Sequence, residues 1–517
     1  MNKKKLIALS LVSSMAIVPG CGKKETVSST SDLKKGVVEY PLKESEKLTY
    51  WCNLPMQVSS SVSNYGETPF AKVLEEATGI KVEYIHPTQG QANALNLLIA
   101  SGNMPDIVQG YWYGQEPANC IQQGVICNLN DYIDDYAPNF KKYLEENKDI
   151  DKMISTDEGY KYVFPFIRED DTTCAVAGFM LRSDWLKELG LEIPETIDEW
   201  DNVLAAFKTK CEIPLAVSDY RFFAGGFDAF YCEYIDNGKV KYGPVEENFK
   251  NFLSKMHEWY TKGYIDPNFS IADGKLIDSN MLSGVSGITM GAGGSKMGVY
   301  LSSMRGKQFD LSAAPFPSAK KGEKSKYSAN QQRYTEMGCA VSKNSKVPEL
   351  AVRYLDYGYS KEGNMLYNFG KEGVSYNMVD GYPTYNKDYF DISDGKSVAE
   401  KLTMNCLGAE SGPFVQDRRY LEQYYGTPQQ NDAIKKWSDN IFKKYRLPMV
   451  MLTAEESTEY SSIMTEIETY VDETVVAMII GKKPISDFDE FVSTVKSMNL
   501  DRALEIKQAS YERYNKR

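Results

Sequence analysis

Lys47-Leu-Thr-Tyr-Trp-Cys-Asn53, Pro69-Phe-Ala-Lys-Val-Leu-Glu-Glu-Ala-Thr78 and Ile80-Lys-Val-Glu-Tyr-Ile85, with Gly79 between the last two, decide the fold class. The first and third pieces are short, aromatic or β-branched, and bounded by turn residues, so each reads as a strand. The second spaces Phe70, Val73, Leu74 and Ala77 as one face of a helix, and Gly79 follows as a left-handed cap. The alternation continues. Residues 92–100 read as a helix ended by Ser101-Gly102, and a third strand starts at 105–108. This βαβαβ opening predicts an α/β lobe with a largely parallel sheet.

Further along, helical spacing recurs at 184–189, 197–208, 248–262, 348–359, 464–480 and 485–498, with Gly481 as a stop between the last two. Trp185, Trp200 and Trp259 fall on the apolar faces of these helices and read as structural. There is no internal repeat.

Toward the N-terminus, Lys3, Lys4 and Lys5 precede an apolar stretch at 6–18, which is too short at 1.5 Å per residue to cross a hydrocarbon core about 30 Å thick. Residues 1–20 therefore read as a cleaved signal. Val18-Pro-Gly-Cys21 resembles a bacterial lipobox, which implies a diacylglycerol on Cys21 and a protein held at the extracellular face of the cell membrane. Residues 21–46 are polar, rich in Ser, Thr and Lys, and read as a flexible tether.

The net charge of −12 argues against nucleic-acid binding, which needs clustered Lys and Arg. With 42% hydrophobic residues, the chain can bury a large core split between two lobes. Eight cysteines remain besides Cys21. Their spacing shows no compact disulfide framework, and small buried hydrophobes is the better reading. Cys120 and Cys127 are the one close pair, and whether they bond is open at this point.

The segments Thr78-Gly-Ile-Lys-Val-Glu83, Asn96-Leu-Leu-Ile-Ala-Ser-Gly102 and Met104-Pro-Asp-Ile-Val108 resemble family 1 extracellular solute-binding proteins. Leu181-Arg-Ser-Asp-Trp-Leu-Lys-Glu-Leu-Gly-Leu191 and Pro194-Glu-Thr-Ile-Asp-Glu-Trp200 are similar to a helix pair of the subgroup of long lipoproteins from Gram-positive bacteria. Trp259-Tyr-Thr-Lys-Gly-Tyr-Ile-Asp-Pro267, Gly370-Lys-Glu-Gly-Val-Ser-Tyr376 and Tyr511-Glu-Arg-Tyr514 extend the ordered set to the last residues.

The resemblance implies a two-lobed, periplasmic-binding-protein-like fold of type II, with the ligand in the cleft between the lobes. Lobe one would take 47–166 plus 335–385, and lobe two 167–334 plus 386–517. The function implied is capture of an oligosaccharide by a monomer that delivers it to the permease of an ABC importer, without cofactor. Related members carry a calcium loop after the helix that follows Trp200. Here only Thr209, Lys210, Cys211 and Glu212 stand in that place, too few carboxylates for six to eight oxygen ligands, so no metal is expected there.

Sugar sites pair aromatic platforms with planar polar groups. The candidates are Tyr111, Trp112 and Tyr113 after the third strand, with Trp112 foremost, and Trp51 and Asn53 at the end of the first. Phe166, Arg168 and Asp171 stand at the expected first crossover. Phe227, Arg333, Tyr334, Tyr376 and Tyr385 complete the set. Gly291-Ala-Gly-Gly294 follows an apolar strand and suits close backbone approach; no G-x-x-x-x-G-K-S/T motif is present. Two other classes stay open: a secreted polysaccharide hydrolase or lyase, and a surface carbohydrate sensor or adhesin. With 71 Asp and Glu a chance carboxylate pair is unavoidable, whereas His86 and His257 fit no metal pattern and no G-x-S-x-G elbow exists.

Overall fold

The computed structural model describes residues 33–43, 46–88, 91–217, 219–391, 393–408 and 410–517. The signal, Cys21 and the first part of the tether lie outside the described residues.

The predicted opening is present as strands Lys47–Trp51, Lys81–Ile85 and Ile107–Tyr111, with helices Pro69–Thr78 and Gln91–Ser101 between them. Thr68 caps the first helix by accepting from Ala71 N–H, and Gly79 ends it at φ 74°. A side chain at Gly79 would also meet the Leu42 carbonyl oxygen at 2.0 Å, so this position needs glycine twice over.

The three strands belong to a six-stranded sheet in the order Val415–Gln416, Phe164–Arg168, Tyr334–Val341, Ile107–Tyr111, Lys47–Trp51, Lys81–Ile85. All run parallel except Tyr334–Val341. Their carboxyl ends therefore share one edge. A second sheet orders Leu311–Ala313, Ala177–Arg182, Ser286–Ala292 and Ile213–Leu215.

Each sheet has its own hydrophobic core. Around the first pack Trp51, Phe70, Leu74, Trp112, Phe164, Tyr354 and Tyr367. Around the second, Trp185, Trp200 and Trp259 are buried, as their helical spacing predicts, and Phe179 and Phe223 pack with centroids 4.5 Å apart. The chain passes between the cores more often than one return segment would need. Phe369, Tyr376 and Tyr385, expected in lobe one, pack in the second core, whereas Phe414, Met449 and Met451 pack in the first.

The tether expected through residue 46 is docked from Leu33 onward. Leu33, Tyr40 and Leu42 lie against the first core, Lys35 pairs with Asp135 at 2.6 Å, and Leu42 N–H donates to the Thr78 carbonyl. These apolar side chains are spaced too irregularly to show as a periodic element. All eight cysteines described are free thiols; Cys120 and Cys127 donate to the Gln115 and Ser342 carbonyls. Asp236-Asn-Gly238 forms the expected turn between strands Glu233–Asp236 and Lys239–Tyr242, with Asn237 and Gly238 at positive φ. At 208–212 Lys208 Nζ donates to the carbonyls of Glu212 and Gly263.

Candidate functional site

Ligands of open α/β sheets sit beyond the carboxyl ends of the strands. In the first sheet that edge carries Asn53, Tyr111, Arg168 and Asp417, with a bulge in Tyr334–Val341 facing it. Within the bulge Glu336 holds φ 67°, a conformation costly for a side-chain-bearing residue, and burial raises its carboxyl above the ordinary range.

Between the ends of strands Lys47–Trp51 and Ile107–Tyr111 a cavity of about 220 Å³ runs down beside helix Pro69–Thr78. Asn53 and Tyr111, the latter 46% exposed, stand at its mouth. Tyr65, Phe70, Leu74 and Tyr367 line it below, and the loop 407–413 brings Glu410 and Ser411 to its side. Gln109 is fixed there: it accepts from the Tyr50 hydroxyl at 2.7 Å and donates to the Ser411 carbonyl at 3.1 Å. His86 braces the wall, with Nδ1 donating to the Cys52 carbonyl at 2.8 Å and Nε2 accepting from Tyr65 N–H at 3.0 Å. Two polar atoms of the lining, the Tyr65 hydroxyl and Glu410 Oε1, are buried without a hydrogen-bond partner. Burial pushes the Glu410 carboxyl up to about 7.

The structure distributes the predicted residues unevenly. Asn53 and Tyr111 meet at the cavity. Tyr113 borders a second opening of about 360 Å³, facing Ser457, Tyr460 and Lys507, and its hydroxyl donates to the Val450 carbonyl. Arg168 faces the edge with its guanidinium held by Gln331 and Gln416 at 2.9 and 2.6 Å. Asp171 is exposed and paired with Lys443, and Arg333 is committed to Asp149, Tyr143 and Asn147.

The remaining rings are corrected to core residues. Trp112 is fully buried, with Nε1 donating to the Val108 carbonyl at 3.0 Å, so it offers no face for stacking. Trp51, Phe166 and Tyr334 are sealed in the first core and Tyr385 in the second, where its hydroxyl donates to the Asn368 carbonyl. Tyr376 packs against the second core and also borders, with Arg333, an opening of about 1040 Å³. Phe227 packs half-buried on Phe252. Gly293 and Gly294 do allow close approach, but to the rings of Tyr425 and Tyr424.

Glu410, Tyr65 and Gln109 were not legible as site residues. Gln109 had a usable signal, since it shares a strand face with Tyr111. Glu410 had only its place in the glycine-bracketed Gly408-Ala-Glu-Ser-Gly412.

Comparison with known proteins extends over the whole chain. FusA, a fructooligosaccharide ABC transporter substrate-binding protein of Streptococcus pneumoniae serotype 4, is 25% identical over 98% of this chain and 97% of its own. Lipoprotein LipO of Bacillus subtilis strain 168 is 24% identical over 73% of this chain and 74% of its own. Among solved structures, the alginate-binding protein AlgQ2 without calcium ion superposes with a TM-score of 0.73 at 24% identity, covering 92% of this chain and 100% of that one. FusA in complex with kestose gives 0.71 at 21% identity, covering 91% and 99%. The fold is thus the two-lobed one of solute-binding proteins, of periplasmic-binding-protein type II. Residues 60–365, more than half of the sequence, match the family described as bacterial extracellular solute-binding protein, and the chain belongs to that family.

Proposed function

We propose that this protein is the lipid-anchored capture subunit of an ABC importer, taking an oligosaccharide between its lobes and passing it to the permease. The observation that carries the reading is the polar carboxyl edge of the first sheet, with Asn53 and Tyr111 at the mouth of a cavity, on a scaffold shared along its length with FusA. Tyr111 supplies an exposed ring for a sugar's C–H face, and Asn53 a planar polar group for hydroxyls. Closure of two lobes on a bound solute is the hinge motion such architecture supports. The lobes divide near the crossings at 166–167 and 334–335, with further crossings at 367–369 and on either side of Phe414 and of 449–451, and the protein acts as a monomer with no cofactor.

Two measurements test this. Titration calorimetry of the purified protein against an oligosaccharide panel should give saturable binding without turnover; hydrolysis of the ligand would replace a binding protein by an enzyme. Cys21→Ala should move the protein from the membrane fraction to the medium and abolish incorporation of labelled palmitate. Retention on the membrane by the variant contradicts the anchor.

A further inference from the structure

Resting on the capture of an oligosaccharide proposed above, we infer that the cavity beneath Tyr111 receives one terminal sugar of the chain and selects an uncharged one, held by Glu410 and the Tyr65 hydroxyl. Size sets the first part. About 220 Å³ is somewhat larger than the ~150 Å³ cavities that hold a single benzene ring, the scale of one sugar ring with its hydroxyls. Phe70, Leu74 and Tyr367 close the cavity within the lobe, while its mouth at Asn53 and Tyr111 opens on the sheet edge. A chain can therefore insert an end but cannot pass through.

Chemistry sets the second part. The Tyr65 hydroxyl and Glu410 Oε1 are buried and unpaired, a costly state unless a ligand relieves it. A sugar hydroxyl both donates and accepts, so it satisfies the phenol and serves the carboxyl in either protonation state. A uronic acid brings a second carboxylate. Among the described residues lining the cavity there is no Lys, Arg or His to meet it. The arginines of the sheet edge do not reach into it: Arg168 is held by two glutamine side chains, and Arg419, which borders a different opening, pairs with Asp417 at 2.5 Å. Burying that charge beside Glu410 without a cation is unfavourable.

The test uses calorimetry on the whole mature protein with neutral oligosaccharides and with oligogalacturonides of matched length. Neutral chains should bind at least tenfold more tightly than the acidic ones. Glu410→Gln and Tyr65→Phe, which keep shape, should each weaken neutral binding by about tenfold while melting temperatures show both variants folded. Binding of neutral chains that is equal in wild type and both variants overturns this inference and leaves the capture function standing, as does a preference for the acidic chains. If wild type binds no glycan at all, the capture function falls and this inference falls with it.

Discussion

Tyr111 and Trp112 are neighbours in the chain with opposite surroundings. Along strand Ile107–Tyr111, Gln109 and Tyr111 point toward the cavity, while Val108, Gly110 and Trp112 point to the other face, where a side chain at Gly110 would strike Leu95 at 2.8 Å. Trp112→Ala should accordingly act on stability, lowering it by about 3–5 kcal/mol, the range for a large aromatic removed from a packed core. Chemical denaturation reads this directly; an unchanged midpoint would mean the ring is not in the core. The sequence showed an aromatic cluster after a strand but not its phase. With Tyr, Trp and Tyr consecutive, either alternation leaves rings on both faces, and only the partner elements decide which face is solvent. Tyr65 and Glu410 were out of reach for a different reason. Neither has a local pattern, and their role depends on a juxtaposition across hundreds of residues.

At the level of elements, the strongly periodic helices were legible, and solvent-facing ones were not. Helix Ala454–Ile479 was expected only from 464, because its first turns carry Glu455, Glu456, Ser457 and Glu459 and bury little. Helix Leu500–Lys516, rich in charge, was missed altogether. Thr453 announces the true start, through a capping box with Glu456. Strands show the same dependence on context at Gly178. It lies in Ala177–Arg182, where a Cβ would stand 2.3 Å from Trp437 Nε1, the group that donates to the Phe179 carbonyl. Gly178→Ala should destabilise by about 1–3 kcal/mol through overpacking, with Trp437 fluorescence shifted as the indole is displaced. A variant with wild-type melting temperature and emission would show that the ring moves freely.

For the molecule as a whole, the C-terminal helix ties the second core to the first. Leu500 and Ala503 pack in the second core, while Arg513 and Arg517 both reach Asp157, which lies between Ile154 and Tyr162 of the first core, at 2.6 and 2.5 Å. Arg513 also binds Glu456, and Arg517 donates to the Ser155 carbonyl. Asp157→Ala leaves two partly buried guanidinium groups short of an acceptor and should cost about 1.5–3 kcal/mol, the scale of hydrogen bonds to charged groups. Thermal melting at low and at high salt checks it, and a loss below a few tenths at both would place this contact among ordinary surface pairs. The two-lobed architecture was legible in advance, whereas the repeated crossings were not, since single residues such as Phe414 and Met449 carry them. Those crossings bear on how such proteins diversify. Because each lobe is assembled from several separated stretches of sequence, no single recombination breakpoint exchanges one lobe intact between relatives. Ligand preference in this scaffold should therefore change by point substitution and loop replacement around the sheet edge, and chimeras built from one N-terminal and one C-terminal half should fold poorly.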